Sequence, residues 1–153
     1  MYLKRLFDRL AISLSLVILL YTGIQVAIGQ DSAEIWEDSE TGLSWTVADN
    51  GSDISWGQDN NYCESLTLEG HTDWRLATLD ELKGLYDRSL SKQYKAKGPI
   101  NLTGANVWSG TRNNYGDAWS FNFGFGGTSL APTGGGGCTS TGRALCTCGS
   151  GSE

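Results

Sequence analysis

Alternating apolar and polar residues predict a pair of short strands near the start of the folded region. A first strand begins at Ile35, and Leu43, Trp45 and Val47 then alternate with polar or smaller residues. This period of two is typical of a strand that buries one face. Residues 49–52, Asp-Asn-Gly-Ser, are turn formers and end the second strand.

Two helices are predicted next. Ser55 is a suitable N-cap for a helix over residues 56–66, and the side chains expected to face inward are Trp56, Tyr62, Cys63 and Leu66. For the second helix, Thr78 and Glu81 have the spacing of a capping box, in which each residue satisfies a free backbone donor of the other. The apolar residues that follow at helical spacing are Leu79, Leu82, Leu85 and Tyr86. We expect this helix to end near Arg88.

Beyond Pro99 the pattern changes to short strands separated by glycine, and 13 of the 21 glycines lie from residue 104 onward. The clearest strand covers residues 118–123, where one face holds Trp119, Phe121 and Phe123. Two further candidate strands are residues 107–111 and 143–146, and the polar, glycine-rich connections are residues 112–117 and 124–142. Two helices followed by antiparallel strands predict an α+β fold.

The first 29 residues have the pattern of an export signal. Residues 1–9 are basic, and residues 10–30 contain no charge. Ala27 and Gly29 are small residues suited to a signal peptidase, so we expect cleavage after Gly29. The alternative is an uncleaved N-terminal anchor, since such an uncharged run can span a bilayer. Both interpretations place the domain in the periplasm, at the cell surface or outside the cell.

Length and charge narrow the function further. The chain has 153 residues and a net charge of −6, which fits one domain. Cleavage would remove three of 11 basic and one of 17 acidic residues, leaving eight and 16, a net charge of −8. Nucleic acid and anionic membranes are therefore poor partners, and membrane contact is expected only through an uncleaved N-terminal segment. We divide the remainder into a lead-in (30–40), a domain (41–148) and a flexible tail (149–153).

The four cysteines are expected to form disulfides, since the chain is exported. A bridge between Cys63 and Cys146 would constrain the unfolded chain by about 4 kcal/mol, and Cys138 and Cys148 could form a second. A metal site is the alternative, but zinc usually uses C-x-x-C pairs or clustered histidines, and the sequence has neither. We expect neither a metal nor a cofactor.

Six short motifs together resemble the Lcl C-terminal domain family of exported bacterial modules. In chain order they are Thr41-Gly-Leu-Ser-Trp45, Asn61-Tyr-Cys63, Asp73-Trp-Arg-Leu-Ala-Thr-Leu-Asp-Glu-Leu82, Val107-Trp-Ser-Gly-Thr111, Ala118-Trp119 and Arg143-Ala-Leu-Cys146. The resemblance implies a C-type-lectin-like fold, with two helices packed on short twisted antiparallel sheets and long glycine-rich loops. It also implies pairing of Cys63 with Cys146. Trp74, Leu76, Trp108 and Trp119 are then core residues, and Arg75 meets a carboxylate or a carbonyl.

Three differences from the family's usual sequence and ligand limit which family properties we expect of this chain. Ala77 stands where the family usually has Pro, and the residues after Cys146 differ from the family's usual strand end. The tripeptides that bind calcium and sugar in true C-type lectins are absent, so calcium-mediated sugar binding is not expected. The family's namesake adhesin is associated with sulfated polysaccharide, but an acidic module would repel a polyanion, so that ligand is not transferred.

The sequence contains few residues in the arrangements that catalytic sites require. His71 is the only histidine, and Asp80 and Glu81 are explained by the N-terminus of a helix. Enzymes of the same fold that generate formylglycine use a reactive cysteine pair, for which Cys146 and Cys148 are the sole candidates here. We therefore expect a protein that is not an enzyme.

The favoured function is an exported, non-catalytic binding or adhesion module that uses its polar, glycine-rich loops to contact a protein or glycan. Tyr115 is the expected anchor, because an aromatic side chain gives contact area at low entropy cost. The candidate ligand-binding residues are Arg112, Asn113, Asn114, Tyr115, Asp117, Ser120, Asn122 and Phe125. One alternative is a structural or assembly domain of the envelope. Another is a ligand-binding protein diversified by a retroelement, which uses the same fold.

Overall fold

The computed structural model describes residues 34–133 and 140–149, which contain two helices and two antiparallel sheets. The helices are α1 (Trp56–Glu64) and α2 (Leu79–Leu85). The strands are β1 (Ile35–Asp38), β2 (Leu43–Thr46), β3 (Arg75–Leu76), β4 (Asn106–Arg112), β5 (Ala118–Asn122), β6 (Gly127–Ala131) and β7 (Cys146–Cys148). One sheet has the order β1-β2-β7-β3 and the other β4-β5-β6. The predicted α+β class is confirmed.

The last strand joins the early part of the first sheet. Thr147 of β7 lies opposite Trp45 of β2 on one side and Arg75 of β3 on the other. Cys146 of the same strand forms a disulfide with Cys63 of α1, with an S–S distance of 2.04 Å, across 83 residues. The predicted Cys63–Cys146 bridge is therefore present in the structure and connects α1 to the centre of this sheet.

An irregular segment of β4 connects the second sheet to both helices. The register of β4 against β5 shifts between Trp108 and Arg112, which leaves backbone groups free to bond elsewhere. The Ser109 carbonyl accepts the indole N–H of Trp56 on α1 at 2.8 Å. The Gly110 N–H bonds the carbonyl of Ala77 at 2.8 Å, just before α2. These two bonds attach the β4-β5-β6 sheet, which bears most of the predicted ligand-binding residues, to both helices.

Two groups of buried side chains form the core. The first combines side chains of α2 and of both sheets and contains Leu43, Trp45, Ala77, Leu82, Leu85, Ala96, Ile100, Leu102, Val107, Phe121, Phe123 and Leu145. The second surrounds the disulfide and contains Cys63, Trp74, Leu76, Trp108, Ala118, Ala131, Ala144, Cys146 and Cys148. Burial of Trp74, Leu76 and Trp108 agrees with the core role predicted for them.

Both helices are shorter than predicted. α1 ends at Glu64 rather than Leu66, and Tyr62, expected to face inward, is 38% exposed. α2 ends at Leu85 rather than near Arg88, because Tyr86 leaves the helical conformation at φ −78° and ψ 125°. That change brings the Tyr86 ring onto Phe121, with 5.5 Å between ring centroids. Tertiary packing, not local helix propensity, ends α2.

Three predictions about the strands are also corrected. The connection 124–142 is not all loop, because it contains β6. The last strand begins at Cys146, where we expected residues 143–146, and Arg143 makes only an isolated bridge with Val107. Trp119 is half-buried and does not belong to the core, although Phe121 and Phe123 on the predicted face are buried.

Several predicted features lie outside the described residues. These are the export segment 1–29, Cys138 with its glycine run, and most of the tail 149–153. Among residues 34–133 and 140–149, no helix is both long and apolar enough to cross a membrane.

Candidate functional site

The predicted ligand-binding residues lie at both ends of the β4-β5-β6 sheet rather than in one cluster. The β4–β5 turn holds Asn113, Asn114, Tyr115 and Asp117, whereas the β5–β6 turn holds Phe125. Arg112, Ser120 and Asn122 lie on strands, not in loops. Since β5 separates the two turns by about 20 Å at the usual rise per residue, one small ligand cannot contact both Tyr115 and Phe125.

The β4–β5 turn is held by side-chain hydrogen bonds and projects outward. The side-chain oxygen of Asn113 accepts the N–H groups of Tyr115 and Asp117, each at 2.9 Å. The Asn113 side-chain amide also donates to the Asp117 carboxylate at 3.0 Å. Tyr115 is 92% exposed at the tip of this turn. Its ring can contact a partner surface.

Arg112 braces the same turn. Its Nε donates to the Gly116 carbonyl at 2.8 Å, and its guanidinium carbon lies 4.9 Å from the centroid of the Trp56 ring. Its Nη2 also reaches Thr133 Oγ1 at 3.4 Å. A side chain engaged in this way supports the turn, so Arg112 is better described as a positioning residue than as a ligand contact.

Side-chain hydrogen bonds also fix the backbone of the β5–β6 turn, which carries Phe125. The side-chain oxygen of Asn122 accepts the N–H groups of Gly124 at 2.9 Å and Phe125 at 3.2 Å. The Asn122 amide donates to the side chain of Asn106 on the neighbouring strand. Phe125 is 75% exposed although its backbone is fixed. The exposed ring offers an apolar contact area at this end of the sheet.

Beside Phe125 lies a groove of about 480 Å³. It is lined by Tyr86, Arg88, Lys95, Gly124, Phe125 and Gly126. Tyr86 forms its base and packs on Phe121 and Phe123, with ring centroids 5.5 and 6.4 Å away. Gly126 lies against the Tyr86 ring, so close that a Cβ at this position would be 2.7 Å from Tyr86 Cε1. The groove is concave and partly aromatic, as binding sites for small ligands commonly are.

The groove is positively charged although the chain is acidic. Its lining includes Arg88 and Lys95 but no carboxylate. Lys95 Nζ donates to the carbonyls of Leu90 and Lys92, at 3.3 and 3.5 Å, and these neutral groups leave its charge uncancelled. The backbone N–H of Lys95 bonds the Phe123 carbonyl at 2.8 Å, which fixes the groove wall to the β5–β6 turn. An anionic group is the complementary ligand chemistry.

The sequence interpretation missed this groove. Arg88, Lys92, Lys95 and Lys97 fall within ten residues of an otherwise acidic chain, and this local run of charge was the available signal. Its position opposite Phe125 was not available, because it depends on the extended conformation of Tyr86 and on the bond between Lys95 and Phe123.

The cysteine pair considered for enzyme chemistry is not a dithiol. Cys146 is bonded to Cys63, and the buried Cys148 has no disulfide partner within residues 34–133 and 140–149. The predicted partner of Cys148, Cys138, lies outside the described residues. His71, the sole histidine, lies near Asp73, with Nδ1 3.8 Å from Oδ1.

Comparison with known proteins gives the family of this chain. No curated protein matches the sequence. The sequence model of the Lcl C-terminal domain matches residues 34–140, which include both helices and strands β1–β6. The predicted resemblance is thus confirmed over most of the chain, and this protein belongs to the Lcl C-terminal domain family.

Proposed function

We propose that the protein is an exported, non-catalytic binding or adhesion module, and that its ligand occupies the groove beside Phe125. The observation that supports this most is the combination of a 75% exposed phenyl ring with two cationic side chains around one concave surface. Aromatic and arginine side chains contribute disproportionately to binding free energy. Residues 112–117, at the opposite end of the sheet, are the alternative contact surface.

The ligand is expected to have an anionic group beside an apolar or ring face. The phenyl ring of Phe125 and the phenol of Tyr86 suit the ring face, while Arg88 and Lys95 suit a carboxylate, sulfate or phosphate. An acidic sugar unit and an acidic peptide side chain both meet this requirement. The net charge of −6 still disfavours a long polyanion, so a single anionic unit is the better match.

Export and a lectin-like scaffold belong to the same proposal. A disulfide that links α1 to β7 supports an oxidising compartment, where such bonds form and persist. Two helices on two small antiparallel sheets are compatible with the lectin-like arrangement that the family resemblance implies. In that arrangement the connections between strands present the binding surface.

The proposal is tested with glycan and peptide arrays probed with the exported protein. The groove variant combines Phe125→Ser with Arg88→Ala, two exposed substitutions that leave the core intact. The matched control combines Tyr115→Ser with Lys83→Ala, which removes a 92% exposed aromatic ring and a cation elsewhere. We expect the groove variant to lose the array signals of the wild type, with the control retaining them.

The other outcomes separate the alternatives. Loss of binding only in the Tyr115→Ser/Lys83→Ala protein would move the site to the β4–β5 turn, where Tyr115 is 92% exposed. If the wild type binds no member of either array, the protein is better explained as a structural or assembly domain. Equal binding by all three proteins would reject both turns as the ligand surface.

A further inference from the structure

Three residues whose side chains can bind a metal come together from distant parts of the chain. His71 and Asp73 lie just before β3, and Cys148 is the last residue of β7. One ligand atom from each lies within 4.8 Å of the other two. We propose that His71, Asp73 and Cys148 form a binding site for a divalent transition metal of the zinc class.

The chemistry of the three ligands selects the metal. A thiolate, an imidazole and a carboxylate are the ligand types that Zn²⁺ accepts, whereas Ca²⁺ and Mg²⁺ require oxygen ligands. Ligands of a tetrahedral zinc ion are about 3.3–3.8 Å apart, given its usual bond lengths. Contraction from 4.8 Å is feasible because the side chains of His71 and Asp73 are 47% and 66% exposed and can move. Three protein ligands leave a fourth position open to water or to a further ligand.

The backbone around His71 is arranged to present the imidazole. Leu68 and His71 exchange both backbone hydrogen bonds, at 2.9 and 3.2 Å, around a two-residue turn. Glu69 in that turn has φ +48°, the one described non-glycine residue in the left-handed region. The imidazole ring meets the edge of Trp74, with 6.0 Å between ring centroids. The two-residue turn, with positive φ at Glu69 and Gly70, and the Trp74 ring thus fix the position of His71 next to Asp73.

Cys148 has no disulfide partner among the residues that the structure describes, and its side chain is only 2% exposed. It lies on the same strand as the disulfide-bonded Cys146. A thiol beside an imidazole and a carboxylate has the surroundings of a metal ligand.

A nucleophilic role is less compatible with the surroundings of Cys148. Reactive cysteines are partly exposed, whereas the Cys148 side chain is only 2% exposed. Metal binding does not require an exposed sulfur, because the ion itself can enter through the exposed His71 and Asp73.

Cobalt substitution provides a direct test with the exported full chain. Co²⁺ bound by a thiolate shows sulfur-to-metal charge-transfer absorption in the near ultraviolet and strong visible bands when the site is tetrahedral. We expect these bands at one Co²⁺ per chain and their bleaching when Zn²⁺ is added. Cys148→Ala should abolish the charge-transfer band. His71→Ala and Asp73→Asn, which change exposed side chains only, should each weaken binding at least about tenfold.

The controls make each outcome decisive. Cys138→Ser removes the other cysteine outside the Cys63–Cys146 bridge and should leave the spectrum unchanged. A spectrum that persists in Cys148→Ala, or that His71→Ala and Asp73→Asn leave unchanged, would overturn the site. Peptide mapping that finds Cys138 and Cys148 joined by a disulfide would also overturn it. Glu64→Gln, an exposed change on α1, controls for loss of nonspecific carboxylate binding.

Discussion

Arg75 and Glu81 form a two-pronged ion pair that joins β3 to the first turn of α2. Arg75 Nη1 and Nη2 donate to the two carboxylate oxygens of Glu81 at 2.8 and 2.7 Å. The same carboxylate accepts the backbone N–H of Thr78 at 2.7 Å, and Thr78 Oγ1 accepts the N–H of Glu81. Glu81 thus closes the capping box and also holds β3, the strand before α2, in place.

Substitutions of Glu81 should separate the cap from the ion pair. Gln preserves a capping acceptor but removes the charge, whereas Ala removes both. We expect Glu81→Gln to cost about 0.5–1 kcal/mol and Glu81→Ala about 1–2 kcal/mol, values kept low because Arg75 is partly exposed. Urea unfolding at pH 7 measures both. Asp80→Asn, at an adjacent acid that is 91% exposed, should change stability by less than about 0.5 kcal/mol.

The contribution of the Glu81 charge should also depend on pH. Burial acts to raise the pKa of Glu81, but the hydrogen bonds from Arg75 and Thr78 outweigh it and lower that pKa below 4.5. The stabilisation is therefore complete above the pKa of the unfolded chain and is lost as the pH falls through the folded value. The stability difference between wild type and Glu81→Gln should shrink towards pH 3. A difference that is constant from pH 7 to pH 3 would contradict the role of the charge.

Asp59 is predicted to destabilise the protein as the pH rises. Its side chain is fully buried on α1, and Oδ2 has no hydrogen-bond partner among the described residues. Burial, with smaller contributions from Asp53 and Asp49 that outweigh Arg143, raises its pKa from 3.8 to about 8. Between these two pKa values the folded protein retains a proton that the unfolded chain releases, so stability from this group falls as the pH rises from about 4 to about 8.

Asp59→Asn removes this titrating group. The side-chain oxygen of the new residue can still accept a hydrogen bond from the Asn50 amide, whose Nδ2 donates to Asp59 Oδ1 at 3.3 Å in the wild type. We expect the variant to be more stable than the wild type by about 2 kcal/mol at pH 8, with little difference at pH 4. Thermal unfolding across this range measures the effect. Glu64→Gln makes the same charge change at an exposed position of the same helix and should show no such trend. Equal stability of Asp59→Asn and wild type at pH 8 would show that Asp59 ionises without penalty.

The Cys63–Cys146 disulfide should account for a large part of the stability. Both residues are fully buried, and the bridge closes a segment of 83 residues. On the loop-entropy model its removal costs about 4 kcal/mol. We expect Cys63→Ala/Cys146→Ala to lower the free energy of unfolding by about this amount in guanidinium denaturation. Added reductant should then destabilise the wild type but not the variant, and equal stability of variant and oxidised wild type would contradict the prediction.

Local sequence signals predicted the parts of this fold that depend on neighbouring residues. The capping box at Thr78 and Glu81 correctly located the start of α2, and the alternation through Leu43 and Trp45 located β2. The end of α2 depends on packing between Tyr86 and Phe121, which are 35 residues apart and leave no mark on local periodicity. β6 was missed for a related reason, because its strand pattern is short and begins with glycine.

Even less of the candidate site than of the fold could be predicted from local sequence. The sequence predicted Tyr115 and Phe125 as ligand contacts, but their separation to opposite ends of β5 follows from the antiparallel pairing of β4, β5 and β6. The His71–Asp73 spacing is visible in the sequence, whereas Cys148 joins them only because β7 inserts between β2 and β3. Sites assembled from distant segments require the sheet order, which no local pattern contains.

Gly126 provides a test of how the groove is shaped. Its φ of +81° favours glycine, and a Cβ there would be 2.7 Å from the Tyr86 ring. Gly51 has a similar φ of +73° but no heavy atom within 4 Å of the position of a Cβ. Gly51→Ala therefore measures the backbone penalty alone, about 1 kcal/mol, whereas Gly126→Ala adds the clash with Tyr86.

We expect Gly126→Ala to cost at least about 1 kcal/mol more than Gly51→Ala in urea unfolding. It should also displace Phe125 and weaken binding of any array ligand found for the wild type, while Gly51→Ala leaves that binding intact. NMR shifts of the Tyr86 ring measure the displacement directly. Equal stability of the two variants, with unchanged Tyr86 shifts, would show that the β5–β6 turn can move away from Tyr86 and that the groove is not fixed by this contact.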